Sequence, residues 1–213
     1  MAKTIDFWLD YASTYSYLAA ERIGALARGA DVAVRWRPFL LGPIFQVQGW
    51  NTSPFNLYPG KGRYMWRDME RQCESLGLPL KRPEPFPQNS ILAARAALIG
   101  FAEGWGEEFS RAIYRAEFGA GRSIGEATVI ADILGSLQRD AARVLERAQS
   151  AENKARLRSE TEEAQRLGIS ARRALSPPTA NYSGAMIASK RRSPGRKARQ
   201  RPARASARHC ARQ

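Results

Sequence analysis

The hydrophobic pattern changes its period twice before Phe39. Lys3 to Leu9 is rich in β-branched and aromatic residues and reads as a strand. Tyr17, Leu18, Ile23 and Leu26 then recur at helical spacing until Arg28-Gly29 closes the helix. Val32 to Phe39 alternates Val32, Val34 and Trp36 with Ala33, Arg35 and Arg37, as a half-buried strand does. Strand, helix and strand make one crossover unit. From Pro43 to about Pro87 the pattern predicts loops, with a helix near Tyr64 to Leu76. Ser90 to Ser150 reads almost entirely helical, its apolar faces marked by Ala93, Ala94 and Ala97, by Phe109 and Ile113, and by Val129, Ile130 and Ile133. Ala151 to Leu167 reads as one further, charged helix.

The junction of the first strand and helix carries the tetrad Ser13-Thr14-Tyr15-Ser16. Ser13 falls at or just before a helix N-terminus, where unpaired backbone N–H groups and the positive end of the helix dipole favour an anion. A pair spaced in this way at the first helix is how thioredoxin-like domains begin, with cysteines in place of serines. Serine at both positions excludes dithiol redox chemistry through the tetrad but leaves room to bind another molecule's thiol. Serine ahead of a helix is also an ordinary N-cap, so both readings of Ser13 stand at this point.

Composition narrows the class. The chain of 213 residues, 44% hydrophobic, is long enough for one good core or a core with a subdomain. Acidic residues lie where a signal peptide would have its apolar region, and no stretch approaches membrane-span length, so a cytoplasmic protein that does not engage a membrane is expected. Cys73 and Cys210 lie in unlike contexts and give no disulfide framework; Cys73 reads as a lone structural or surface thiol on a helix.

Beyond the tetrad, Trp36 to Phe45 (WRPFLLGPIF), Gly49-Trp50-Asn51, Lys61 to Met65 (KGRYM) and Pro85 to Ser90 (PFPQNS) follow in an ordered series. Over roughly residues 3 to 168 the chain resembles the 2-hydroxychromene-2-carboxylate isomerases, which with kappa-class glutathione transferases form a DsbA-like branch of the thioredoxin fold. The resemblance implies an α/β, thioredoxin-like (DsbA/kappa-type) fold with an inserted all-helical domain. Residues 1–42 would form the N-terminal β-α-β half, 43–150 the helical insertion, and 151–170 a helix returning to the thioredoxin-like domain.

The same resemblance implies a glutathione-dependent cis-trans isomerase in naphthalene-type aromatic catabolism. Glutathione would be a cosubstrate, a small aromatic carboxylate the substrate, and a family-like homodimer is compatible with it. The serine matching Ser13 holds the glutathione sulfur as thiolate, which adds to the substrate, permits bond rotation and leaves. A hydrogen bond to a charged acceptor is worth about 1.5–3 kcal/mol, enough for roughly one to two units of thiol pKa depression without a histidine base. The sole histidine, His209, lies among the last residues. Where the family has proline after this serine the chain has Thr14, which frees φ and restores an N–H. Asn51 would bind the glutathione backbone or be an ordinary loop asparagine. Lys61, and less so Arg63, would face a carboxylate or be a solvated loop charge. Asn89 would bind glutathione or only cap the helix opening at Ser90. A kappa-like glutathione transferase shares all of these residues.

The resemblance stops at the last predicted helix. Residues 171–213 hold 12 of the 34 Lys and Arg and none of the 20 acids, so this segment is +12 and the first 170 residues are only +2. As written it is a basic tail expected to be disordered and able to bind nucleic acid non-specifically, without the interleaved aromatics or fold of a dedicated nucleic-acid binder. Reading the permitted codons from each third base, beginning inside Ile169, allows FGAPSFVTADGELFWGDDRLEAAL, the family's C-terminal half. The Asn181-Tyr182 junction forces leucine and Met186-Ile187 forces aspartate, both where the family pattern wants them. A single-base loss near Ile169 is therefore expected, together with missing C-terminal strands, poor stability and impaired activity.

Overall fold

The computed structural model describes residues 3–169 and 186–188. Strand β1 (Lys3–Leu9) leads into helix α1 (Thr14–Gly29) and then β2 (Val32–Pro38), which pairs in parallel with β1 from Lys3 opposite Val32 to Leu9 opposite Pro38. Side chains on β1 alternate between two apolar clusters, as the period of a strand requires. Phe7 and Leu9 pack with Tyr17, Leu18 and Trp36 in the large core, where Phe7 meets Trp36 edge-on at 4.8 Å. Trp8 faces the other way, into a small cluster with Phe39, Ile44, Ala164 and Ile169. Fully burying one such side chain contributes about 1.5–3 kcal/mol, which fixes the register of β1 between its two layers.

After β2 the chain is helical: α2 (Leu41–Val47), α3 (Pro54–Leu57), α4 (Pro59–Leu76), α5 (Ile91–Glu103), α6 (Gly106–Tyr114), a π-helical turn (Arg115–Gly119), α7 (Ala127–Ser136), α8 (Ala141–Ala148) and α9 (Ala151–Arg166). The expected loop between Pro43 and Tyr64 is corrected here, because it contains most of α2, all of α3 and the first turn of α4. Pro59 opens α4 at a position where the missing N–H costs nothing. Gly62 lets that turn approach α3 closely, since a Cβ there would overlap the carbonyl oxygen of Phe55. The long helical stretch after Ser90 is interrupted at Gly104, which takes φ = 86°, and between α7 and its neighbours.

Helix α9 covers the Trp8 face. Arg37 lies over the Trp8 ring at 4.2 Å and reaches Glu160 of α9 at 2.7 Å, while Leu40 N–H donates to Thr161 Oγ1 at 3.2 Å. The other edge of β1 pairs antiparallel with β3 (Met186–Ala188), Phe7 opposite Ile187, giving strand order β2-β1-β3 among the described residues. That short strand falls inside the span expected to be a structureless tail. Ala185 to Ala188 is an uncharged, apolar run in an otherwise basic segment, and the edge of β1 offers it unpaired backbone groups. The rest of 170–213 lies outside the described residues.

Candidate functional site

The turn from β1 to α1 is organised by Asp10. Its side chain is almost fully buried, at 4% exposure for the residue. Oδ1 accepts from Ala12 N–H at 2.9 Å and from the Ser90 hydroxyl at 2.8 Å, and Oδ2 accepts from Leu41 N–H at 2.6 Å. The Asp10 carbonyl accepts from Ser13 N–H at 3.1 Å and from the Tyr114 hydroxyl at 3.0 Å. Burial pushes the Asp10 carboxyl above its ordinary range, opposed by the N–H groups of Leu41 and Ala12 and the Ser90 hydroxyl.

Ser13 is the N-cap residue of α1 by backbone conformation, at φ −98° and ψ 117°, but its side chain makes no capping bond. The cap position is thus occupied and the hydroxyl left available. Thr14, the first residue of the helix, is buried. Tyr15 donates its hydroxyl to Asp68 Oδ2 on α4 at 2.9 Å, and burial followed by Asp68 pushes its pKa upward.

The site opens into a cleft of about 670 Å³, within the range of small-molecule pockets. Phe45, Trp50, Phe55 and Phe86 supply aromatic lining; the Phe45 and Trp50 rings stand 6.0 Å apart, and Asn56 Nδ2 donates to the Phe86 carbonyl at 2.8 Å. Hydroxyl and amide side chains supply the polar groups. Asp10 is the one charged residue among the described residues that line it.

Ser13, Asn51 and Asn89 all line this cleft. Asn89 also accepts from Ile91 N–H through Oδ1 at 3.1 Å, so it caps α5 from within the lining. Lys61 is not brought to the cleft: it is exposed in the first turn of α4, and its ammonium rests on the Tyr58 ring at 4.5 Å. Cys73 is buried in α4, and burial pushes its thiol up to about 11, in keeping with a packing role.

Sequence reading missed Asp10, Gln88 and Ser90. Gln88 accepts from Ile124 N–H at 2.7 Å, tying the cleft's Pro87-Gln88 edge to the loop before α7. The available signal for Asp10 was an acid at the end of an apolar strand, where an uncompensated carboxylate would be costly. Ser90 was visible as a helix start, but its hydroxyl serves Asp10 rather than its own helix.

A model of the DSBA-like thioredoxin domain matches residues 4–170. The chain is 32% identical over 123 residues to a 2-hydroxychromene-2-carboxylate isomerase of Sphingobium xenophagum, covering 57% of this chain and 61% of that protein. It is 32% identical over 83 residues to glutathione S-transferase kappa 1 of Caenorhabditis elegans, covering 38% and 36%. The chain therefore spans less than two thirds of the length of these relatives. Among solved structures, a 2-hydroxychromene-2-carboxylate isomerase superposes with a TM-score of 0.68 at 23% identity, over 76% of this chain and 78% of that one. The cytosolic disulfide reductase DsbM from Pseudomonas aeruginosa with GSH superposes at 0.57 and 19%, over 78% and 81%. These likenesses carry the fold, and the matched span runs from β1 to just past α9: the chain belongs to the DSBA-like thioredoxin domain family.

Proposed function

We propose that the cleft is that of a glutathione-dependent cis-trans isomerase converting 2-hydroxychromene-2-carboxylate to trans-o-hydroxybenzylidenepyruvate, with low turnover in this chain. The observation that carries the reading is Ser13, which lines the cleft at the start of α1 with a side chain that makes no capping bond, in a lining that also holds four aromatic residues, Phe45, Trp50, Phe55 and Phe86. Glutathione would supply a thiolate that adds to the substrate, permits rotation about the former double bond, and leaves. Ser13 would donate to that sulfur, and the N-terminus of α1 would add a smaller stabilisation. Asn51 and Asn89 offer amide groups to the peptide part, and the four aromatic residues a surface for an aromatic ring. Low turnover is proposed because the family's glycine-aspartate-arginine segment, which by resemblance holds the γ-glutamyl end, has no counterpart in the residues written after Ile169.

The test is turnover of the chromene carboxylate by the full chain with and without glutathione. Dependence on added glutathione supports the reading; equal rates in both conditions would sink it. A kappa-type glutathione transferase would use the same cleft, a reading supported by the Caenorhabditis elegans relative. Conjugate release with electrophilic substrates, in place of catalytic return of free glutathione, would favour it.

A further inference from the structure

We propose that Asp10 is a positioning residue whose ionised carboxylate ties together three walls of the cleft and thereby sets the Ser13 hydroxyl. The proposal rests on the glutathione reading above for what Ser13 does. The walls are the β1–α1 turn, the segment entering α2, and the entry to α5. Asp10 Oδ1 holds the first through Ala12 N–H and the third through the Ser90 hydroxyl; Oδ2 holds the second through Leu41 N–H. Leu41 and Ser90 are 31 and 80 residues away in sequence, and the helical region adds a further anchor through the Tyr114 hydroxyl on the Asp10 carbonyl.

The donor pattern requires two acceptor oxygens. An asparagine in this place has one oxygen and one NH₂. If its oxygen keeps Ala12 and Ser90, its NH₂ confronts Leu41 N–H; if the amide is flipped, it confronts Ala12 N–H, while Ser90 can reverse its role and accept. Either way one buried backbone donor loses its acceptor. The carboxylate is therefore matched to its surroundings in a way its closest isostere is not. The Asp10 charge acts on Glu117, Tyr11 and Tyr114, and none of these is a cation that would pair with the carboxylate in place of its three donors.

The experiment compares the full chain with Asp10→Asn and Ser90→Ala by amide hydrogen exchange and by glutathione titration. Tryptophan fluorescence reads binding, since Trp50 lines the cleft, and thiolate absorbance reads the ionisation of the bound sulfur. In Asp10→Asn, exchange should rise roughly tenfold or more in peptides spanning 10–16 or 39–45 while residues 93–100 stay protected, and the bound thiol should ionise at higher pH. Ser90→Ala leaves both backbone donors in place and should loosen the entry to α5 with a smaller effect on the thiol. Unchanged exchange in both segments, or loosened segments with unchanged thiol ionisation, overturns the proposal. If Asp10→Asn does not fold, Ser90→Ala decides: no effect on exchange at the α5 entry refutes the tie. If the unaltered chain binds no glutathione, the function proposed above fails, whereas the exchange measurements still decide whether Asp10 holds the walls.

Discussion

Ser13 occupies the cap position of α1 without using its side chain as a cap, and the two roles it could have had are thereby separable by experiment. Losing a genuine cap costs about 1 kcal/mol, so Ser13→Ala should lower stability by less than that. The same change should raise the pKa of bound glutathione by about one to two units, read by thiolate absorbance, because a hydrogen bond to a charged sulfur is removed. A large loss of stability with an unaltered thiol pKa would return Ser13 to the status of an ordinary cap. Glu117 poses a different question. It is 0% exposed in the π-helical turn, and neither carboxylate oxygen has a partner among the described residues. Burial, and then the Asp10 charge, pushes its pKa well above the usual carboxylate value. A raised carboxyl binds its proton more tightly when folded, so it lowers stability progressively as pH rises from the unfolded pKa towards the folded one. Glu117→Gln should therefore melt close to the unaltered chain near pH 4 and about 3 °C or more above it at pH 7. An equal difference at both pH values would contradict this. Ser13 was legible because a hydroxyl at a strand-to-helix junction stands out; Asp10 and Glu117 were not, because burial of a single acid depends on contacts far away in sequence.

At the scale of elements, period and punctuation marked β1, α1, β2 and α9 to within a few residues, since each has a clear apolar stripe or end signal. The span from Leu41 to Gly62 was harder to read. Its helices are short, and Pro and Gly there open or pack helices rather than end them, as Pro59 and Gly62 do. Lys61, expected either to face a carboxylate or to be a solvated loop charge, stands instead in the first turn of α4 with its ammonium on the Tyr58 ring. The same turn yields a prediction. Gly62→Ala favours the helix by roughly 1 kcal/mol in isolation, but its methyl group would press on the Phe55 carbonyl, a backbone atom that cannot rotate away. Overpacking of this kind costs about 1–3 kcal/mol. The variant should be no more stable than the parent by thermal melting and should bind cleft ligands more weakly, because Phe55 lines the cleft. A clear gain in melting temperature would show that α3 yields freely.

For the whole molecule, the match to the family ends where the basic segment begins, and the described residues beyond it reduce to one three-residue strand on β1. We propose that a single-base loss near Ile169 accounts for the change. Reading the encoding DNA tests it directly: the alternative frame should be open and spell the permitted family-like string. A chain carrying that string in place of the present one should melt higher, by about 2–4 °C per kcal/mol regained, and turn over faster. A closed frame removes the proposal without touching the fold.

The cleft joins this basic chain in an unexpected electrostatic arrangement. The net charge is +14, yet the described lining of the cleft contains no lysine or arginine. An anionic ligand there would be held by amide, hydroxyl and helix dipoles, whose reach is too short for mobile ions to screen. Raising salt from 0.05 to 0.5 M, roughly a threefold shorter screening length, should slow encounter with the protein while changing the dissociation rate from the cleft by less than about twofold. Stopped-flow measurement across that range would separate the two, and a dissociation rate that climbs steeply with salt would mean that a cation takes part in the grip. The field that gathers anions around this protein and the dipoles that would retain them thus answer to different solution conditions.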